Sequence, residues 1–219
     1  IAEESVVSVI VGAIALTLIL NLPNSIAIFF VAKLSGMNHK RTKISVIVAL
    51  VMGAGLMRLI PNTNGFVPVT AATVFAAAFI GRKGWAVLLP IFSVWLTDLV
   101  LNNTVYASFF DGFTWLTPGF AFQFSAYALI SLMGFQVGQN ASSSRIGLFS
   151  IASSLLFFLV TNFGVWIAGG FYSPDFAGLM ECYAMGIPFL ERSFLADVLF
   201  AQVLFHGFSM AQKRFPALG

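Results

Sequence analysis

The chain has 219 residues, 59% of them hydrophobic and only 9% charged, with a mean hydropathy of +0.94. A soluble globular domain carries about 25% charged residues, so these proportions exclude one and describe an integral membrane protein with almost no water-exposed mass. The net charge of +3 comes from basic residues in short connections and gives no reason to expect nucleic acid as a partner, and the single cysteine, Cys182, excludes an internal disulfide.

Residues 1–36 open with Glu3-Glu4 and an apolar run, Val6–Leu20, followed by a break at Asn21-Leu22-Pro23-Asn24-Ser25 and a second run, Ile26–Ala32. An acidic start does not suit a signal peptide, which begins basic. As one straight helix the two runs would be about 45 Å long, well beyond the about 30 Å hydrocarbon core. One transmembrane or interfacial helix is expected here, kinked or ended at Pro23. Met37-Asn38-His39-Lys40-Arg41-Thr42-Lys43 then reads as a natural start. The chain thus divides into an appended N-terminal helix, 1–36, and a membrane domain, 37–219.

Six spans are expected in that domain, at about 44–60, 66–80, 85–102, 119–137, 146–168 and 194–212. Charge supports the count. Of the 11 Lys and Arg, all but Arg58 and Arg192 fall at one set of ends, and every Asp and Glu falls at or toward the other. The positive-inside rule places the core termini in the cytoplasm and the N-terminus of the extra helix outside, in a bacterial inner membrane.

The first core span carries Ala49 and Gly53 in small-xxx-small spacing, which lets another helix approach closely. The second is short and rich in Ala and Thr, predicting tight packing. A basic turn, Gly81-Arg82-Lys83-Gly84, joins it to the third, so the far ends of this hairpin meet outside. There they gather Arg58, Asn62 and Asn64 with Asp98, Asn102 and Asn103. Asp98 and Asn102 share a helix face at i, i+4, with Trp95 one turn deeper. An acid near the end of a span is usually turned inward. Two roles fit Asp98, a wall of a binding pocket or an ion pair with Arg58, and they are compatible.

Gln123, Tyr127 and Ser131 form a polar stripe on the fourth span, and Ser154, Phe158, Asn162 and Trp166 form another on the fifth. A buried Asn offers two donors and two acceptor sites, which suits a heterocyclic or amide ligand. Hydrogen bonding between helices is the alternative; it suits Ser154 better, and the ligand role suits Asn162 and Trp166 better. In the last span Gln202, His206 and Ser209 share a face for which packing or a subunit contact is expected. Two long outer connections, 103–118 and 169–192, are aromatic as well as polar and contain Glu181. They read either as an aromatic belt at the headgroups or as a lid over the outer mouth. The inner connections are short, an asymmetry that favours the lid.

The sequence holds no P-loop, HExxH or GxSxG motif and no cluster with metal-ligand spacing. No catalytic residue, metal or cofactor is expected.

In the order of these features, residues 37–214 resemble the substrate-binding (S) components of energy-coupling-factor vitamin transporters. The resemblance runs through Phe66-Val67-Pro68-Val69, the Gly81–Gly84 turn, Asp98 closing the third span and Ile187-Pro188-Phe189 before the last. The stretches RLIPNTNGFVPV and FFLVTNFGVW are also similar to an uncharacterised bacterial membrane family of that type. The resemblance implies an all-α, six-helix S-component-like bundle, here with one extra N-terminal transmembrane helix. It implies an outer pocket closed by loops, a transmembrane coupling subunit met by Ala49 and Gly53, two ATPase subunits, and release of cargo by tilting in the lipid. The residues expected to bind a small vitamin-like solute are Arg58, Asn62, Asp98, Asn102, Gln123, Asn162, Trp166 and Glu181. The alternative is a non-transporting accessory subunit of an unrelated membrane complex, its mouth filled by its own side chains or by lipid.

Overall fold

The computed structural model describes residues 39–60, 67–214 and 218. The expected N-terminal helix, Asn62, Asn64 and Phe66 lie outside the described residues. The described residues form six α-helices and no strand: α1 His39–Leu56, α2 Val69–Ile80, α3 Gly84–Asn103, α4 Phe120–Val137, α5 Ser143–Gly169 and α6 Phe176–Arg214. A 3₁₀ turn, Met57–Leu59, extends α1, and another, Ala107–Phe109, lies between α3 and α4.

Apart from the 12-residue α2, each helix is long and apolar enough to cross a membrane. Large apolar side chains point outward along them, among them Leu88, Leu132, Leu148, Leu159 and Leu195. Water would penalise such a surface, whereas lipid solvates it. The arrangement fits a multi-pass membrane protein.

α2 is the axis of the bundle. All 12 of its residues are buried, and it packs against the other five helices. Its alanines permit this approach from several sides. Gly134 of α4 shows how close it is: a Cβ there would lie 2.7 Å from Ala77 Cβ and 2.9 Å from the Val74 carbonyl oxygen. On another side Phe75 and Phe79 meet Phe205 and Phe208 of α6 with ring centroids 4.9–5.6 Å apart. Offset and edge contacts of this kind are favourable beyond the area they bury. Gly81 ends α2 with φ +79°, in the left-handed region that glycine enters without a Cβ penalty, and the basic turn leads directly into α3.

At 12 residues α2 is about 18 Å long, too short to span the bilayer. Its N-terminus is therefore buried in protein, where first-turn N–H groups need an acceptor. Asp197 of α6 supplies one. Its carboxylate, 1% exposed, accepts the Ala71 N–H at 3.0 Å and the Ser154 hydroxyl at 2.6 Å, and the Thr70 hydroxyl also bonds it.

The last helix departs from the expected span at 194–212. α6 begins at Phe176, so most of the connection expected at 169–192 is helical. Pro188, expected ahead of the last span, sits inside the helix. Membrane helices tolerate this because neighbouring groups satisfy the backbone carbonyl that proline leaves open. The stretch from Phe176 to Met185 is rich in Ala, Leu, Met and Glu, all good helix formers. Asp175 caps it, its carboxylate accepting the Gly178 N–H at 2.8 Å. α5 and α6 run antiparallel as a hairpin, about 40 and 58 Å long at 1.5 Å per residue. Tilt or projection into the headgroup layer takes up the excess over the hydrocarbon core.

Candidate functional site

The end of α1, the last turn of α3 and the first turns of α4 converge at the acidic end of the bundle. Arg58, on the 3₁₀ turn that follows α1, forms an ion pair with Asp98 of α3. Its other terminal nitrogen donates to the Thr97 hydroxyl at 3.1 Å and the Val94 carbonyl at 3.3 Å. Gln123 of α4 donates to the second Asp98 oxygen at 3.2 Å. Asn102, one turn further along α3, is buried beside them. The structure thus brings four of the expected residues, Arg58, Asp98, Asn102 and Gln123, into one cluster. Asp98 is both the partner of Arg58 and part of the lining of a small space at this end.

The connection after α3 folds over this cluster. Asn103 clasps it to the helix end, its side-chain oxygen accepting the Thr114 N–H at 2.8 Å and its amide donating to the Thr114 carbonyl at 2.9 Å. The next residue, Trp115, accepts from the Trp95 indole N–H through its backbone oxygen at 3.3 Å. Trp115, Leu116 and Thr117 then roof a space walled by Trp95, Asp98, Asn102, Phe120, Gln123 and Phe124. In this closed arrangement the free volume is about 10 Å³, room for one water molecule. A molecule larger than water fits there only if the lining residues move.

Asn162 and Trp166 lie elsewhere. Their stripe on α5 forms the seam of the α5–α6 hairpin. Ser154 bonds Asp197, and Phe158 packs against the Tyr183 ring at 5.5 Å. The Asn162 amide donates to the Phe158 carbonyl, and its side chain lies so close to Gly186 that a Cβ there would be 2.6 Å from Oδ1. The Trp166 indole donates to the Ser173 carbonyl in the hairpin turn at 2.9 Å. Neither residue lines the covered space, because the first half of α6 occupies the face that the sequence reading left open for a ligand. Glu181 is exposed on that half of α6.

Ala49 and Gly53 form an exposed strip on α1, and a Cβ on Gly53 would meet nothing within 4 Å. Their neighbour Gly55 packs internally against Ser93 of α3. At the basic end His206 meets Ser143 and Gln202, each at 3.0 Å, joining α6 to the start of α5.

The sequence reading missed Asp197 as a cap, Thr97 as an Arg58 partner and the Asn103–Thr114 clasp. One signal was available for the first: an acid within an apolar span, opposite a segment too short to reach the surface.

Among the described residues no group of His, Cys, Asp and Glu could hold a metal ion. Fold and site together define an all-helical protein of multi-pass membrane type with a covered polar cluster at one end. The chain belongs to DUF6580, a family of unknown function, whose match covers residues 38–218. Neither the curated proteins nor the solved structures contain a match to the chain.

Proposed function

We propose that this protein is a membrane-embedded binding subunit that captures a small vitamin-like solute at the mouth formed by Arg58, Asp98, Asn102 and Gln123. The observation that carries the reading is a mixed set of donors and acceptors held beneath a loop clasped by side-chain bonds. Arg58 offers guanidinium donors, Asp98 carboxylate acceptors, and Asn102 and Gln123 both kinds. The rings of Trp95, Trp115, Phe120 and Phe124 add flat apolar surfaces. A small heteroaromatic or amide-bearing molecule matches this chemistry. Binding replaces the roof contacts of Trp115 and Leu116 with solute contacts.

On this reading the bundle has the S-component arrangement, lies in a bacterial inner membrane with its basic end in the cytoplasm, and has no catalytic role. Uptake then requires a coupling subunit, docked on the Ala49–Gly53 strip, and two ATPases. Gentle purification from native membranes, with identification of every co-purifying protein, tests this. Stoichiometric ATPases and a coupling subunit are expected; wild-type solute uptake in a deletion strain would count against the proposal.

One observation favours a second reading. The mouth is filled by the chain's own side chains down to about 10 Å³, as suits an accessory subunit that keeps the fold without transporting. Co-purification with an unrelated membrane assembly, without ATPases, would select it.

A further inference from the structure

The opposite, basic end holds a second concavity that the solute reading does not use. An open groove of about 520 Å³ runs between the start of α3 and the end of α4. Arg82 and Lys83 stand at its head, both exposed and with no carboxylate within 4 Å among the described residues. Its walls are Val87 of α3 with Leu132 and Phe135 of α4.

We propose that this groove binds one anionic phospholipid, its phosphate held by Arg82 and Lys83 and an acyl chain lying along Val87, Leu132 and Phe135. Charge and polarity are divided along the groove as they are along a lipid. At the polar end the first N–H groups of α3, ahead of the Ala86 N–H that bonds the Lys83 carbonyl at 2.9 Å, lack intrahelical acceptors and add to the positive field. The approach to them is open, since a Cβ on Gly84 would meet nothing within 4 Å. Gln136 contributes an amide there, and its backbone oxygen accepts from Arg145 at 2.6 Å, which brings a third cation alongside. At the other end the groove opens past Leu132, which is 53% exposed on the lipid-facing surface. A soluble anion would use only the polar head of such a site, whereas a phospholipid fills both parts. Basic recesses between spans at the headgroup level are recognised by anionic lipids for this reason.

The test reconstitutes the full chain in nanodiscs of phosphatidylcholine with phosphatidylglycerol and measures retained lipid by native mass spectrometry. The wild type is expected to hold one phosphatidylglycerol in preference to phosphatidylcholine. R82Q/K83Q should weaken that retention about thirty-fold, the effect of two lost interfacial charges, and R82K/K83R should restore it. Val87→Trp keeps the charges but fills the groove, and it should also lose the lipid. Equal retention of both lipids, displacement of phosphatidylglycerol by inorganic phosphate, or wild-type retention by R82Q/K83Q would overturn the proposal. Should R82Q/K83Q fail to insert, Val87→Trp decides alone, and its retention of phosphatidylglycerol at the wild-type level is the contrary result.

Discussion

Asp197 of α6 caps the N-terminus of α2 from 126 residues away, its carboxylate accepting the Ala71 N–H at 3.0 Å. This one bond explains how a helix too short to span a bilayer can stand at the centre of a membrane bundle. Removing the carboxylate strands the Ala71 N–H where water cannot reach it, while the Ser154 hydroxyl keeps the Ser150 carbonyl as an acceptor at 3.0 Å. Asp197→Ala is expected to cost about 1–3 kcal/mol, the range for leaving a buried donor without its acceptor. Asp197→Asn, which keeps one acceptor, should cost less. Thermal unfolding in detergent followed by circular dichroism checks both. Equal melting of Asp197→Ala and the wild type would show that α2 is held by packing alone.

The approach of α4 to α2 is equally specific. A methyl group on Gly134 would collide with Ala77 and the Val74 backbone. Gly134→Ala should destabilise by about 1–3 kcal/mol, as overpacking does. Gly53→Ala, facing open space on α1, should stay within about 0.5 kcal/mol of the wild type. Comparing their unfolding midpoints separates internal packing from free surface. If Gly53→Ala instead abolishes solute uptake while leaving stability unchanged, the α1 strip acts as a docking surface.

Span positions were legible in the sequence because hydropathy is a local property. Five of the six expected segments, from 44–60 through 146–168, coincide with helices to within a few residues. The sixth was expected only from 194, whereas the helix begins at Phe176 and carries Pro188 inside it, which lipid tolerates better than water. The earlier start of the helix covers a face of α5. With residues 176–193 read as a loop, Asn162 and Trp166 stood next to empty space; with them helical, both lie in a seam. The Arg58–Asp98–Gln123 cluster was legible because each residue is a polar exception at the same end of a span. The Asp197 cap and the Asn103–Thr114 clasp were not, since a bond from a side chain to a distant backbone group leaves no local pattern.

The cap on α6 gives a pH dependence. Two donors, the Gly178 N–H and the Ser173 hydroxyl, stabilise the charged Asp175 carboxylate and hold its pKa below the ordinary carboxylate value. A depressed folded-state pKa means that the stabilisation is present above the unfolded value and is lost as pH falls through the folded one. The first turn of α6 should therefore fray in acid. Hydrogen exchange at Ala177, Gly178 and Leu179 is expected to speed up, after correction for intrinsic rates, below the usual carboxylate range. Asp175→Asn, which keeps a cap without a titrating charge, should remove that dependence.

The clasp on the roof predicts a kinetic effect. Asn103→Ala deletes both bonds to Thr114 and should free the Thr114–Thr117 segment while leaving Asp98 paired with Arg58. Amide hydrogen exchange at Thr114, whose N–H the Asn103 side chain holds at 2.8 Å, should then speed up by about ten-fold or more. Unchanged exchange would mean that other contacts, not the clasp, hold the segment in place.

The most direct test of the solute site is chemical. Protein purified gently from native membranes is denatured, and the small molecules it releases are identified by mass spectrometry, beside Arg58→Met and Asp98→Asn variants handled identically. One small polar or heteroaromatic compound is expected in stoichiometric amount from the wild type, with its loss from both variants. A wild-type protein that releases no such compound, or variants that retain it in full, would contradict the claim that this mouth is a binding site.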